Sequence, residues 1–212
     1  MLNFDSGYLS GGRLQTRTAR EIENEPMLFR ASLSFAMANG GEITREFLNH
    51  FDPKIDAVVD TRSHMLMRGH YPCIPGWHHD DVPRDTHNKQ PNYDNPAYLS
   101  NHAMAVVDAS DAPTGSLTEF VAGRVSVPWP LDEGATVYAV WDAHLGAMRP
   151  SIKAVASGEI AHFSSADFHR GVAASAAGWR FFIRLTYNTG IKPDNKIRKN
   201  ANVYVPWSTA GW

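Results

Sequence analysis

The sequence has little cysteine and no long hydrophobic run. Cys73 is the single cysteine among 212 residues, which excludes an internal disulfide, and residues 1–5 show no basic-then-apolar signal pattern. The longest apolar stretches, such as residues 103–107, are far shorter than the roughly 20 residues of a membrane-spanning helix. We therefore expect a reduced, soluble, cytoplasmic protein that makes no contact with a membrane.

An excess of positive charge is also absent. The chain has 20 lysines and arginines against 22 aspartates and glutamates, a formal net charge of -2 at pH 7, so it lacks the overall charge typical of nucleic-acid-binding proteins. A nucleic-acid partner would need a local patch, and the one basic cluster, residues 192–199, is typical of a solvated surface. We therefore expect a small-molecule ligand rather than a nucleic acid. The sequence does not indicate an oligomeric state.

The chain does contain enough apolar material for one core. Hydrophobic residues make up 43% of it, and 13 prolines argue against long helices, which predicts a single globular domain over residues 1–212. Helix start and stop signals predict one helix over 26–40 and a second over 43–51. The expected parts are an N-terminal arm with helices over 1–55, a core over 56–190 and a C-terminal extension over 191–212.

The core region has the pattern of a series of short strands. Runs of β-branched and aromatic residues are separated by clusters of glycine, proline, asparagine and aspartate, at the spacing typical of a sandwich or barrel. The expected fold class is mainly β (α+β), with the N-terminal helices packed outside. The runs that predict strands are residues 58–67, 103–107, 117–121, 136–141, 159–163 and 179–187. A polar segment over 83–101 has no periodicity and is expected to be a lid or a mobile loop.

The densest group of chemically active side chains is the run PGWHHDD at residues 75–81. On an extended strand, residues two apart point to the same face, so His78 and Asp80 can converge on one metal ion. His79 and Asp81 can do so on the opposite face, and the residues alone leave both registers open. Joined by a second histidine, either pair makes the triad that leaves coordination positions open on Fe(II). A solvated loop is the alternative interpretation.

A further histidine and two arginines lie near the end of the predicted core. His169 precedes the strand predicted over 179–187, on which Arg180 and Arg184 share one face. Two arginines on one strand face are costly to bury unless an anion meets them, and a dicarboxylate cosubstrate would be such an anion. The alternative is that each arginine pairs with a protein carboxylate or lies on a solvated face of the sheet.

Together these residues resemble the Fe(II)/2-oxoglutarate-dependent dioxygenases. The run WHHD looks like the Trp-His-x-Asp form of the taurine dioxygenase and phytanoyl-CoA hydroxylase branches, which favours the pair His78 and Asp80 over the shifted one. Arg180 and Arg184 follow His169 by eleven and fifteen residues, which is similar to the distal histidine and two strand arginines of taurine dioxygenase. The resemblance covers the segments around the two histidines, with compatible strands between them.

The resemblance implies a fold, a metal and a cosubstrate. It implies a double-stranded β-helix, the cupin-like jelly roll, in which His78, Asp80 and His169 hold Fe(II). Arg180 would bind the distal carboxylate of 2-oxoglutarate and Arg184 would touch substrate or support Arg180, although which arginine holds the cosubstrate is left open. The implied activity is that of an oxidoreductase, a dioxygenase that hydroxylates or otherwise oxidises an organic substrate with dioxygen, giving succinate and CO2. The identity of the substrate cannot be read from the sequence.

Two other classes of protein fit part of the same pattern. A cupin-like metal-dependent isomerase, lyase or hydrolase would use the triad with Zn(II) or Mn(II), but it would not need Arg180 opposite the metal. A non-catalytic jelly-roll binding module would leave His78 and Asp80 as ordinary loop residues. The arginine distinguishes the oxygenase from the first class, and metal binding that depends on His169 distinguishes it from the second.

Overall fold

Antiparallel β-strands make up most of the regular structure. The computed structural model describes residues 1–87, 90–94, 100–129 and 136–205. The strands are β1 Leu2–Ser6, β2 Leu9–Arg13, β3 Met27–Phe29, β4 Ala31–Ser32, β5 Ala57–Leu66, β6 Asn101–Asp108, β7 Thr118–Val121, β8 Gly123–Val127, β9 Ile152–Val155, β10 Glu159–Ser164, β11 His169–Gly171, β12 Gly178–Tyr187 and β13 Lys196–Arg198. The helices are α1 Ala19–Glu23, α2 Leu33–Asn39, α3 Glu42–Leu48 and α4 Val137–Met148.

The largest sheet has six strands in the order β2-β10-β6-β12-β5-β4. A second sheet has three strands, β11-β7-β9, and the segment that contains His78 joins its edge through an isolated bridge to His169 in β11. Two further pairs are β1 with β8 and β3 with β13. All of these pairings are antiparallel. Residues 1–55 therefore supply the edge strands β2 and β4 of the largest sheet, besides three of the helices.

Strand β12 lies inside the largest sheet, and its alternating pattern orients the two faces of that sheet. Phe181, Ile183 and Leu185 are fully buried on one face, in an apolar core that also includes residues of α1, α2 and α3. Arg180 and Arg184 lie on the other face and line a cavity. The N-terminal helices therefore cover the outer face of the sheet, as the sequence predicts. The face of β12 that carries the two arginines borders the interior cavity.

Five of the six predicted strands are present, as β5, β6, β7, β10 and β12. The sixth prediction, a strand over 136–141, is wrong, because α4 occupies those residues. Val137, Trp141 and Leu145 recur every fourth residue and are all buried, which is the period of a helix rather than of a strand. The predicted window ends before Leu145 and contains mostly β-branched and aromatic residues. The helix predicted over 43–51 is present as α3.

The helix predicted over 26–40 is correct only in its second half. In the first half the backbone bonds across to the sheet, since the N–H of Leu28 donates to the hydroxyl of Thr61 in β5 at 2.7 Å. Arg30 has a φ of 42°, a left-handed conformation that interrupts a right-handed helix. Helix α2 begins only after Ser32, whose side chain accepts a hydrogen bond from the first turn. The apolar spacing therefore spans two short strands and a helix.

The structure describes only part of the polar loop and only part of the C-terminal extension. The described parts of the polar loop predicted over 83–101 form no helix and no strand before β6 begins, and residues 88–89 and 95–99 of that loop lie outside the described residues. The C-terminal extension contributes β13, and its residues 206–212 also lie outside them. The longest described helix, α4, has 12 residues, and none of the described helices is long and apolar enough to cross a bilayer.

Candidate metal centre

His78 and His169 lie side by side because their backbones pair. The N–H of His78 donates to the carbonyl of His169 at 3.1 Å, and the N–H of His169 donates to the carbonyl of His78 at 3.2 Å. Trp77 and Phe168, which precede the two histidines, are buried in one apolar cluster with α4. Since neighbouring residues of an extended segment point to opposite faces, burial of these two rings turns both histidines to the other side. Asp80, two residues after His78, lies on that side as well.

Three donor groups meet there. The Nε2 atom of His169 lies 3.2 Å from Oδ2 of Asp80, and the Nε2 atom of His78 lies 3.8 Å from Oδ1 of the same carboxylate. One ligand atom from each of the three residues lies within 4.8 Å of the other two. Two imidazoles and one carboxylate at this separation can hold a metal ion, and the set suits a metal that keeps coordination positions free for other ligands.

Backbone carbonyls orient both imidazole rings. The Nδ1 atom of His78 lies 2.9 Å from the carbonyl oxygen of Gly76, and the Nδ1 atom of His169 lies 2.9 Å from the carbonyl oxygen of Asp167. Because a carbonyl oxygen only accepts hydrogen bonds, each Nδ1 must carry the proton and donate it. The Nε2 atoms, which face Asp80, are then the ring nitrogens placed to bind a metal, which is the arrangement of metal-binding histidines.

The charges around the site favour the forms of these groups that bind metal. Burial and the neighbouring His169 lower the pKa of His78 below the ordinary histidine value. Burial raises the pKa of Asp80, but Arg184 and the two imidazoles lower it by more, so that it lies well below its usual range. At neutral pH the site therefore presents an uncharged His78 and an ionised Asp80, the protonation states that metal binding requires.

The shifted pair, His79 and Asp81, does not join this group. The ring of His79 packs against Phe168 with centroids 4.0 Å apart, and its Nδ1 atom lies 2.8 Å from the Tyr93 hydroxyl. Asp81 has a φ of 55°, and its carboxylate lies 3.0 Å from Nη2 of Arg184. Across the described residues, the group of potential metal ligands contains neither side chain. Of the two registers that the sequence allows, the structure assembles the one with His78 and Asp80.

Arg184 is paired with carboxylates of the site itself. Its Nη1 atom contacts Asp80 and its Nη2 atom contacts Asp81. Burial lowers the pKa of Arg184, but the two aspartates raise it by more, so that it lies above the ordinary arginine value. For Arg184 the structure therefore has the arrangement that the sequence analysis gave as the alternative, a pairing with protein carboxylates.

Arg180 is buried without such a pairing. The residue is 2% exposed, its Nε atom is buried without a hydrogen-bond partner, and within the described residues its guanidinium makes no ion pair. Burial lowers the pKa of Arg180 to about 10, so the group stays charged at neutral pH. With His78, Asp80 and His169 it lines a cavity of about 150 Å³. A buried, unpaired guanidinium is costly, and an anion bound in this cavity would offset that cost.

Asp142 of α4 holds the segment before His78 in place, although it belongs to none of the motifs that the sequence predicts. Its Oδ1 atom accepts a hydrogen bond from the N–H of Trp77 at 2.8 Å, which fixes the segment that leads into His78. Gly76 has a φ of 104°, and a Cβ there would lie 3.1 Å from the carboxyl carbon of Asp142. A glycine thus permits both the turn and the close approach. Only Gly76 signals the contact, because Trp77 and Asp142 are 65 residues apart in the sequence.

We expect Asp142→Ala to reduce the free energy of unfolding by about 1–3 kcal/mol, because it leaves the N–H of the buried Trp77 without its acceptor. Urea denaturation of the metal-free protein measures this loss. The control is Asp56→Ala, which removes an exposed carboxylate and should change stability by less than about 0.5 kcal/mol. Equal unfolding free energies for the two variants would contradict the supporting role of Asp142.

Comparisons with known proteins include a distant similarity to a solved structure. No protein-family model and no curated protein matches the sequence. Among solved structures, the chain is similar to a protein described as "Non-heme monooxygenase, ThoJ-Ni complex", with a TM-score of 0.40 and 13% sequence identity, over 94% of this chain and 80% of that chain. We infer neither fold nor function from a similarity at this level.

Proposed function

We propose that this protein is an Fe(II)- and 2-oxoglutarate-dependent oxygenase built on a double-stranded β-helix, or jelly roll. The strand order supports the jelly roll. From β5 to β12 the chain alternates between the two larger sheets, except that β7 and β9 both lie in the second sheet, with β8 and α4 between them in sequence. The strand order is β10-β6-β12-β5 in the first sheet, inside its edge strands, and His78 segment-β11-β7-β9 in the second. Met104 of β6 and Phe120 of β7 share one buried cluster, which fits two sheets packed face to face.

The observation that carries the proposed function is the unpaired Arg180 in the same cavity as His78, Asp80 and His169. A 2-oxo dicarboxylate needs a metal for its keto acid end and a cation for its far carboxylate, and a planar guanidinium binds a carboxylate through two parallel hydrogen bonds. Arg184 is less suited to this role because its guanidinium is already paired with Asp80 and Asp81. A metal-dependent isomerase, lyase or hydrolase with the same triad would not need Arg180 opposite the metal.

The donor set fits Fe(II), and His78, Asp80 and His169 would hold it. When bound, the iron supplies the activation of dioxygen, which amino-acid side chains do not provide. Two neutral imidazoles and one carboxylate leave about one net positive charge on such a site, which favours a 2-oxo acid as a further ligand. The proposed reaction uses one dioxygen to convert 2-oxoglutarate to succinate and CO2 and to insert one oxygen atom into a C–H bond of the substrate.

The remaining walls of the cavity suit an oxidation that must exclude water. Met104, Phe163 and Phe182 supply apolar surface, and Thr118 places a hydroxyl among them. Arg184 holds the carboxylate of Asp80 in place through its ion pair. These side chains would position the cosubstrate between Arg180 and the three ligands and keep bulk water from competing for the site.

An anaerobic titration tests the proposal. Adding 2-oxoglutarate to the Fe(II)-loaded protein should produce a weak charge-transfer band in the visible spectrum, and admitting air should release succinate even without the primary substrate. His169→Ala is the matched control and should show neither signal. If the wild-type protein retains iron but gives no band and no succinate, the proposed function is wrong and a hydrolase, isomerase, lyase or binding module becomes the better hypothesis.

A further inference from the structure

A second cavity adjoins the first beside β5 and the C-terminal segment. Its volume is about 160 Å³, and Asp60, Arg62 and Arg184 line both cavities. Arg30 and Arg198 line the second cavity but not the first. Each cavity by itself is smaller than the roughly 300–1,000 Å³ of typical small-molecule sites, whereas the two together reach the lower end of that range. The site therefore has room for a second small ligand beside the cosubstrate.

Positive charge is concentrated around these cavities, although the whole chain has a formal net charge of -2. Five arginines and three aspartates line the two cavities. A divalent metal and the two carboxylates of 2-oxoglutarate cancel each other in charge, so the filled site keeps an excess of positive charge. Such an excess is costly in a partly buried site unless another anion binds there. The arginines are Arg30, Arg62, Arg180, Arg184 and Arg198, and the aspartates are Asp60, Asp80 and Asp81.

Arg62 is the arginine best placed to receive that anion. Within the described residues its guanidinium makes no ion pair and no hydrogen bond, whereas Nη2 of Arg198 lies 3.1 Å from Oδ1 of Asp60. Arg62 and Arg198 both line the second cavity, and burial and the positive charge of Arg198 lower the pKa of Arg62 by more than Asp60 raises it. An anion between them would make charge-assisted contacts with both.

The alternation of side chains along β5 places Arg62 on the face of the strand that lines the cavities. Asp60, Arg62 and His64 alternate along β5, share one face and all line the first cavity. Arg62 is paired in register with Phe182 of β12, which lies between Arg180 and Arg184. Arg62 thus lies on the same cavity wall as the two arginines of β12, on the neighbouring strand.

We propose that Arg62 and Arg198 bind the anionic group of the substrate, a carboxylate, sulfonate or phosphate, next to the metal centre. This inference rests on the proposed function and adds a substrate class to it. The substrate would be a small organic anion whose charged end lies on this arginine pair and whose carbon skeleton extends toward His78, Asp80 and His169. A neutral substrate would leave Arg62 in the cavity without an anionic partner.

Ligand-observed NMR titration of the full chain tests the arginine pair. The protein is loaded with Zn(II), which prevents turnover, and saturated with 2-oxoglutarate to fill the Arg180 side of the cavity. The probes are propionate, ethanesulfonate, ethyl phosphate and neutral propionamide at equal ionic strength. We expect at least one anion to bind, propionamide not to bind, and Arg62→Gln to weaken the anion by roughly tenfold or more. The anion that binds best identifies the head group.

The matched control is Arg124→Gln, which removes an exposed arginine that lines neither cavity and should leave anion binding unchanged. Equal binding of the anions and propionamide, or anion binding that is insensitive to Arg62→Gln, would overturn the inference. Succinate release from the iron-loaded protein separates the two proposals. Release with anion binding independent of Arg62 contradicts the inference alone, whereas Arg62-dependent binding in a protein that never releases succinate contradicts the proposed function.

Discussion

Asp80→Asn is expected to lower the affinity of the protein for Fe(II) by more than about 100-fold. The substitution keeps the size of the side chain but removes the one carboxylate in the group formed with His78 and His169. Loss of a residue that merely orients a metal ligand costs about 10- to 100-fold, so loss of the anionic ligand should cost more. Anaerobic calorimetric titration with Fe(II) measures the affinity, and His169→Ala should behave in the same way.

Thermal unfolding gives a second readout of metal binding. A metal present at 100 times its dissociation constant stabilises the native state by about 2.7 kcal/mol, so wild-type protein should gain stability on addition of Fe(II) and Asp80→Asn should not. Asp81→Asn is the matched control, because Asp81 shares with Asp80 the contact with Arg184 but does not belong to the ligand group. If Asp81→Asn loses iron and Asp80→Asn retains it, the shifted register is the correct one.

Arg180→Leu is expected to weaken 2-oxoglutarate by about 2–5 kcal/mol, roughly 30-fold or more, while the affinity for iron stays nearly unchanged. The guanidinium is buried in the cavity and has no carboxylate partner among the described residues, so the far carboxylate of the cosubstrate would lose its main contact. The dissociation constant of 2-oxoglutarate, measured on the metal-loaded protein without oxygen, gives this loss directly.

Two comparisons separate a cosubstrate role for Arg180 from a structural one. Pyruvate lacks the far carboxylate, so Arg180→Leu should affect pyruvate binding much less than 2-oxoglutarate binding. The metal-free variant should also be at least as stable as wild type, because an unpaired buried charge has been replaced by an apolar side chain. Unchanged 2-oxoglutarate binding in Arg180→Leu would move the role to Arg184 or elsewhere, and a large loss of stability would indicate a structural arginine.

Local sequence patterns were sufficient to predict which side chains of one strand or segment lie together at the candidate metal centre. The two-residue period of an extended segment places His78 and Asp80 together, and the alternation over 179–187 places Arg180 and Arg184 on one face. Both predictions need only the alternation of side chains between the two faces of an extended strand. The choice between the two registers at residues 78–81 rested on the resemblance, and in the structure it follows from the burial of Trp77, which turns His78 to the opposite side.

Long-range contacts could not be predicted in the same way. The hydrogen bond from Trp77 to Asp142 joins a loop to a helix whose first residues, up to residue 141, the sequence pattern predicts as a strand. The pairing of Arg184 with Asp80 depends on which of several nearby carboxylates the fold brings closest. The lack of a partner for Arg62 is likewise a property of the assembled cavity. Such features are decided by packing between distant segments, and no local period encodes them.

The reciprocal backbone bonds between His78 and His169 have a consequence for the order of events in folding. Asp80 and His169 are 89 residues apart, so the donor set exists only after β11 has docked beside the His78 segment. Closing so long a loop costs entropy, and the donor set does not exist until that cost has been met. A metal ion would therefore bind only after these segments have docked, and we expect its stabilisation to slow unfolding rather than to speed folding.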